Sequence, residues 1–120
     1  MEPLIMVVDD AAFMRRLIKK ALAEGGYQNI VEVENGQEVL DKYRECRPNL
    51  VLLDITLPGR TGLEALEDVL AADENAKVIM CSAIGQEAII AQAILKGAQD
   101  FIIKPFRPEE LLCLVKAYLV

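Results

Sequence analysis

Carboxylate, hydroxyl and ammonium side chains stand directly after four apolar runs of this sequence. In chain order they are Asp9, Asp10, Asp54, Ser82 and Lys104. Carboxylates that come within a few ångströms of one another repel, and a divalent cation relieves that repulsion. Oxygen ligands favour a hard ion, and a shell that leaves room for water favours Mg²⁺. A carboxylate beside such an ion and an ammonium is a suitable acceptor for a phosphoryl group, which a nearby hydroxyl can then bind.

Each of these residues also has an ordinary structural interpretation. One aspartate of the Asp9-Asp10 pair could cap a helix, and Ser82 could cap a turn. Asp54 and Lys104 could be solvated loop charges. A cap accounts for only one of the two adjacent aspartates, however, and the ordinary interpretation needs four coincidences at one place. The hypothesis of a shared site therefore requires that the surrounding elements bring these residues together.

The predicted strands are continuous apolar runs. Runs of about four to six apolar residues are typical of parallel strands buried on both faces. The half-polar segment 30–34 is shorter and predicts an edge strand. The five predicted strands are residues 4–8, 30–34, 50–53, 78–81 and 101–103.

Segments with helical periodicity lie between the strands. Asn35 with Glu38 and Thr61 with Glu64 have the spacing of N-terminal capping pairs, and Pro108 begins the last helix. The predicted helices span residues 12–24, 35–45, 61–72 and 87–96, with the last one starting at 108. This alternation predicts a parallel sheet with helices on both faces and right-handed connections. Ligands of such sheets bind beyond the carboxyl ends of the strands, where the polar residues fall.

Composition narrows the class of protein. The 120 residues fit one domain, 1–120, and 53% hydrophobic with 27% charged residues is a globular composition. The net charge of −6 argues against nucleic acid and anionic membranes as partners. The chain contains no His, which excludes a histidine base, metal ligand or phosphohistidine on this protein. No apolar stretch is long enough to span a membrane, and no signal-peptide pattern is present.

The cysteines and the C-terminus support a simple cytoplasmic protein. Cys46, Cys81 and Cys113 are dispersed and form no CxxC pair, which predicts reduced thiols in the cytoplasm. Cys81 lies within an apolar run, and we expect it to be buried. The last helix reaches Val120 with no linker after it, which favours a stand-alone protein.

Several spaced motifs carry a resemblance to a known family. They are the segments 5–10 (IMVVDD), 53–55 with Pro58 and Gly62, 81–83 (CSA) and 100–106 (DFIIKPF). Together they resemble the receiver domain of bacterial two-component response regulators, over residues 4–120. Residues 9–15 and 81–86 are most similar to the stand-alone chemotaxis members of that family. The resemblance implies a flavodoxin-like, doubly wound α/β fold whose five-stranded parallel sheet has the order 2-1-3-4-5.

The resemblance also implies roles for individual residues. It makes Asp54 the phosphoacceptor and places Mg²⁺ on Asp9, Asp10, Asp54 and the backbone carbonyl of Thr56. Lys104 binds a phosphoryl oxygen, and the bond to the following proline is expected to be cis.

A two-state switch follows from the same resemblance. Ser82 is drawn toward the phosphoryl group, and the ring of Phe101 turns inward once Ser82 has moved. Phosphorylation then favours the arrangement that partners recognise. Arg60 departs from the common family pattern and adds a positive charge near the site.

The helical segment 87–96 has no charge between its first and last residues. A helix that lies on a sheet needs only one apolar face. We expect Ile90 and Ile94 to point inward with Ala93, which leaves an apolar residue exposed. A scattered exposed residue is the ordinary alternative to a docking patch. The predicted partner surface consists of Ile89, Ile90, Leu95 and Phe101.

The sequence thus predicts a phosphorylation-activated signalling switch that catalyses its own phosphorylation and dephosphorylation, and not a metabolic enzyme. The implied partners of this expected monomer are a histidine kinase, a flagellar motor switch protein and a phosphatase.

One alternative is a receiver or phosphorelay module of another two-component pathway. A second is a Mg²⁺-dependent phosphohydrolase, which typically has an Asp two residues after its nucleophile, where this chain has Thr56. Neither GxGxxG nor GxxxxGK[ST] occurs, which disfavours a nucleotide-binding enzyme.

Overall fold

The computed structural model describes residues 2–119, which alternate between strands and helices. The predicted domain also includes Met1 and Val120, and these two residues lie outside the described part, as does the predicted end of the last helix. The strands are β1 (Ile5–Val8), β2 (Ile30–Val33), β3 (Leu50–Asp54), β4 (Val78–Ala83) and β5 (Asp100–Lys104). The helices are α1 (Ala12–Glu24), α2 (Val39–Cys46), α3 (Gly62–Ala72), α4 (Glu87–Lys96) and α5 (Pro108–Tyr118).

The five strands form one parallel sheet in the order β2-β1-β3-β4-β5. This confirms the predicted fold and the predicted edge position of β2. The chain first moves outward from β1 to β2 and then returns to the other side of β1 as β3. The carboxyl ends of β1 and β3 are therefore neighbours at the topological switch point, with Val8 opposite Leu53.

Alternate residues of the strands supply two separate apolar layers. Met6, Val51 and Met80 face the side covered by α2, α3 and α4. Their neighbours Ile5 and Leu52 face the side covered by α1 and α5. Because successive strand residues point to opposite faces, a continuous apolar run is needed to fill both layers. No helix in the described part of the chain is long and apolar enough to cross a membrane.

The predicted capping pairs mark two helix starts. Thr61 accepts a hydrogen bond from the N–H of Glu64, whose carboxylate in turn accepts from the N–H of Thr61. Asn35 accepts a bond from the N–H of Glu38. That second start differs from the prediction, because Gly36–Glu38 form a 3₁₀ turn and α2 begins only at Val39.

Gly62 lets α3 begin directly against the end of β3. Its N–H donates to the carbonyl of Ile55 at 2.9 Å. A Cβ at this position would overlap the carbonyl oxygen of Asp54 and lie 2.6 Å from the Cα of Ile55. The backbone of two rigid elements would then have to separate, since neither atom belongs to a flexible side chain.

We therefore expect Gly62→Ala to lower the free energy of unfolding by about 1–3 kcal/mol, as overpacking does elsewhere. Alanine is otherwise the better helix former, so intrinsic propensity predicts the opposite sign. Urea denaturation measures the change. Gly25→Ala is the matched control, because the Cβ there meets only methyl groups of the Leu112 side chain, which can move. Equal losses in the two variants would contradict the close approach at Gly62.

Candidate functional site

Three carboxylates converge at the switch point. Asp9 and Asp10 directly follow β1, and Asp54 is the last residue of the neighbouring β3. One carboxylate oxygen from each residue lies within 4.8 Å of the others. Asp9 is only 2% exposed and Asp54 only 7% exposed, whereas Asp10 is open to solvent. The structure thus brings together the three aspartates that the sequence predicted to share one site.

Lys104 supplies the compensating positive charge. It is the last residue of β5, two strands away from Asp54, so its long side chain must reach across the end of β4. Its Nζ donates to Asp9 Oδ2 at 2.7 Å and to Asp54 Oδ2 at 3.1 Å. The bond between Lys104 and Pro105 is cis, as expected.

Backbone N–H groups hold the second oxygen of both buried carboxylates. The N–H of Ala11 donates to Asp9 Oδ1 at 2.9 Å, and the N–H of Thr56 donates to Asp54 Oδ1 at 3.2 Å. Ala11 occupies the N-cap position of α1, and that cap has no side-chain hydrogen bond. Helix capping therefore explains neither member of the Asp9-Asp10 pair.

Burial and an excess of negative charge in the cluster both shift the pKa values of Asp54 and Lys104. Burial raises the pKa of Asp54; Lys104 opposes this shift, and the nearby carboxylate of Asp9 adds to it. Burial by itself would lower the pKa of Lys104, but the hydrogen bond to Asp9 and the charge of Asp54 outweigh it and raise that pKa. Both shifts favour proton binding, as expected where several carboxylates share one ammonium. A further cation bound at this site would balance its excess negative charge.

Ser82 is fully buried, and its hydroxyl bonds the backbone rather than one of the three carboxylates. Its Oγ donates to the carbonyl of Ala83 at 2.9 Å. Ser82 follows Cys81, which lies opposite Asp54 in the β3–β4 pairing. Cys81 is buried as expected, and burial raises the pKa of its thiol to about 12, so the thiol stays protonated and unreactive.

The exposure of α4 corrects part of the predicted partner surface. Ile90 is 6% exposed and packs in the core with Ala93, so it is not a surface residue. Ile94, expected to point inward, is 40% exposed, and Leu95 is 88% exposed. Ile89 is partly buried against the core. These assignments differ because four consecutive apolar positions leave the rotation of a helix about its axis undetermined.

Phe101 lies on the outer edge strand beside this helix. Its side chain is 40% exposed, which places it on the surface that the sequence predicted for it. Arg60 pairs with Asp68 of α3 through two hydrogen bonds of 2.7 and 3.0 Å. The positive charge expected near the site is therefore bound to a carboxylate outside it.

Two residues next to the site were given no role by sequence reasoning. Arg15 donates to the backbone carbonyl of Asp9 at 2.7 Å and to the carboxylate of Glu32 on β2 at 2.9 Å. It thereby ties the first turn of α1 and the edge strand to the loop that carries the aspartates. Gln86 links the loops that follow β3 and β4. Local residue spacing does not predict the Arg15–Glu32 and Gln86–Thr56 contacts, because these partners are separated by 17 and 30 residues along the chain.

Fold and site together define a doubly wound α/β protein with an acidic, lysine-bridged site at its switch point. Residues 5–116 match the family described as the response regulator receiver domain. The chain is 44% identical to the chemotaxis protein CheY of Thermotoga maritima and 49% identical to that of Listeria monocytogenes. Both alignments cover 90% of this chain and at least 90% of the relative.

A solved structure supports the same assignment. The CheX–CheY–BeF3–Mg²⁺ complex from Borrelia burgdorferi contains a chain with a TM-score of 0.90 and 32% identity, covering 98% of this chain and 89% of that one. The protein belongs to the response regulator receiver family. It is a phosphorylation-activated switch of a two-component system, and its similarity to CheY proteins associates it with chemotaxis.

Removal of the ammonium should expose the repulsion between the buried carboxylates. We expect Lys104→Met, in the presence of a chelator, to lower the free energy of unfolding by about 3–5 kcal/mol, because breaking a buried pair leaves uncompensated charge. Urea denaturation measures the loss. Lys42→Met is the matched control, since Lys42 makes only an exposed pair with Glu45 at 3.9 Å and its loss costs about 1 kcal/mol or less. Similar losses in both variants would show that Lys104 does not balance the cluster.

Proposed function

We propose that Asp54 accepts a phosphoryl group from a phosphohistidine on a separate histidine kinase. One observation carries the proposal. The Asp54 carboxylate is buried at the switch point, with one oxygen on the N–H of Thr56 and the other on the ammonium of Lys104. The absence of His from the chain fits this division of labour, because the donor must come from another protein.

The chemistry of transfer uses the groups around Asp54. A carboxylate oxygen attacks phosphorus, the P–N bond of the donor breaks, and its electron pair remains on the imidazole. The product is an acyl phosphate, whose added negative charge lies within reach of Lys104. Water attack on the same phosphorus releases inorganic phosphate and restores the carboxylate. The chain thus promotes its own phosphorylation and dephosphorylation by positioning and electrostatics.

The donor set suits a hard divalent cation. Asp9, Asp10 and Asp54 present one oxygen each within 4.8 Å of one another, and we assign the backbone carbonyl of Thr56 as a fourth ligand. Oxygen ligands with an exposed member leave positions for water, which is the coordination that Mg²⁺ prefers. When bound, Mg²⁺ neutralises charge on the carboxylates and on phosphoryl oxygens.

The signal leaves through the surface beside β4 and β5. The switch uses Ser82, whose hydroxyl can turn from Ala83 to a phosphoryl oxygen on Asp54, and Phe101, whose ring then moves inward. The exposed large apolar side chains after β4, on α4 and on β5 are those of Ile84, Ile94, Leu95 and Phe101. We assign the α4–β5 surface that carries them to docking of a flagellar motor switch protein and of the kinase. The complex of the Borrelia CheY with CheX supports a further protein partner, and we assign that role to a phosphatase.

The protein acts as a monomer in the cytoplasm under this proposal. All three cysteines are free thiols, which suits a reducing compartment. The phosphohydrolase alternative is weaker, because Thr56 stands where such enzymes typically carry a second aspartate. A phosphorelay module of another pathway would share the site and differ in its partners.

The first experiment measures intact mass after incubation with acetyl phosphate, with and without Mg²⁺. We expect one phosphoryl adduct on the wild-type protein in the presence of Mg²⁺ and none on Asp54→Asn, because the amide is a poor nucleophile. Phosphate release is followed in parallel, since fast turnover would hide the adduct. Steady hydrolysis of diverse phosphomonoesters would favour the phosphohydrolase instead.

Two further aspartate variants complete this experiment. Asp41→Asn changes an exposed residue of α2 and should form the adduct as the wild type does. Asp10→Asn keeps the acceptor but removes a proposed metal ligand, so it should need more Mg²⁺ for the same rate. An adduct retained by Asp54→Asn at another residue would refute the assignment of the acceptor.

Docking should depend on the exposed residue of α4. We expect Leu95→Ser to weaken binding of the phosphorylated protein to the flagellar motor switch protein of its own organism by roughly five- to thirtyfold, about 1–2 kcal/mol. Its stability and its phosphorylation should be unchanged. Isothermal titration measures the affinity, and Phe13→Ser is the control, since Phe13 is 66% exposed on α1 across the sheet. An unchanged affinity of Leu95→Ser would place docking elsewhere.

A further inference from the structure

Gln86 connects three parts of the switch region through one side chain and its own carbonyl. Its Oε1 accepts a hydrogen bond from the N–H of Ala83 at 2.8 Å, and its Nε2 donates to Thr56 Oγ1 at 3.1 Å. Its backbone carbonyl accepts from the N–H groups of Ile89 and Ile90 in the first turn of α4. The end of β4, the start of α4 and the loop after β3 are therefore fastened together at this residue.

The Gln86 side chain does not form the helix cap that is usual at its position. Gln86 occupies the N-cap position of α4, where a short polar side chain normally accepts a bond from the first turn. No such side-chain cap is formed here. The longer glutamine side chain instead turns back along the loop to Ala83 and across the gap to Thr56. The bridge between the loops is thus formed in place of a helix cap.

The bridge binds the same residue, Ala83, that binds the switch hydroxyl. Gln86 binds the N–H of Ala83, while the hydroxyl of Ser82 donates to the Ala83 carbonyl. The strand before this point is fixed, because the N–H of Ile55 donates to the carbonyl of Cys81 at 3.0 Å. Ser82 can bond a phosphoryl oxygen on Asp54 only when its bond to Ala83 opens. Backbone movement at Ala83, the last residue of β4, therefore works against the Gln86 bridge.

Space for that movement lies directly below the bridge. A cleft of about 340 Å³ opens between the starts of α3 and α4, with Thr56 and Gln86 on its rim. Its walls include the apolar side chains of Ile55, Leu63 and Ile89. Gly85, which precedes Gln86, has a φ of 95° and gives the loop a turn that other residues rarely adopt.

We infer that Gln86 is a positioning residue, a latch that holds the Ser82 hydroxyl on the Ala83 carbonyl and opposes capture of the phosphoryl group. This inference rests on the proposed function and goes beyond it, because it names the contact that sets the switch equilibrium. A ligand that binds only a minor conformation has an apparent affinity that is reduced in proportion to the population of that conformation. Opening the latch by substitution raises the population of the competent arrangement and tightens binding of a phosphoryl analogue.

The test measures the affinity for beryllofluoride in saturating Mg²⁺. We expect Gln86→Ala to bind this analogue roughly two- to tenfold more tightly than the wild type, the range for loss of one or two hydrogen bonds. Thr56→Val removes only the far end of the bridge and should tighten binding less. The double variant should match Gln86→Ala, because both substitutions break the same bridge.

A control variant and an amide resonance separate a latch from a general effect on the fold. Gln92→Ala makes the same substitution at an exposed position of α4 and should keep the wild-type affinity. The amide resonance of Ala83 should shift in the unliganded Gln86→Ala protein toward its position in the beryllofluoride complex of the wild type.

The outcomes distinguish the latch from the function on which it rests. A wild-type protein that binds no beryllofluoride would overturn both the proposed function and the latch. Wild-type binding together with an equal or weaker affinity of Gln86→Ala would overturn the latch alone. Additive effects of Gln86→Ala and Thr56→Val would also overturn it, since two independent contacts are not one bridge.

Discussion

The mutual repulsion of Asp9, Asp10 and Asp54 at the end of the sheet is the constraint on which the rest of the structure depends. Two of these carboxylates are buried, and one ammonium, that of Lys104, lies between them. Backbone N–H groups bind the remaining oxygens, so no charge of the buried pair lacks a partner. The site nevertheless keeps an excess of negative charge. That excess makes it receptive to a cation and unstable toward any change that removes Lys104.

The order of the strands determines how the carboxylates and Lys104 come together in one site. Adjacent β1 and β3 bring the carboxylates together at the switch point, while β4 separates them from β5. Lys104 reaches the carboxylates only because its side chain is long, and its ammonium remains partly accessible. Gly62 allows α3 to begin against the carbonyl of Asp54. Asp54, the proposed phosphoacceptor, is therefore held by rigid elements on several sides, which is the condition for electrostatic preorganisation.

Sequence reasoning predicted what depends on local pattern and on the topology of parallel sheets. Apolar runs gave the strands, alternation with helices gave their parallel arrangement, and the position of strand ends brought Asp9, Asp54 and Lys104 together. It could not set the rotation of α4, because four neighbouring apolar residues satisfy more than one inward face. Ile90 is buried, as its expected inward position requires, whereas Ile94, which was also expected to point inward, is 40% exposed. The bridge from Gln86 to Thr56 was also beyond prediction, since a hydrogen bond between side chains 30 residues apart leaves no periodic signal.

The two halves of the site are prepared to different degrees, and this difference explains how one chain can be both reactive and switchable. The buried carboxylates of Asp9 and Asp54 are already hydrogen-bonded to the ammonium of Lys104 and to backbone N–H groups. Ser82 is hydrogen-bonded too, but to the backbone of its own loop. Under the proposed function, phosphorylation of Asp54 therefore needs little rearrangement of the site, whereas binding of the phosphoryl oxygens by Ser82 requires the bond from Ser82 to Ala83 to open. Opening that bond costs free energy, so phosphorylation and the change to the partner-binding conformation are separate steps. The contacts of the β4–α4 loop determine how strongly these two steps are coupled.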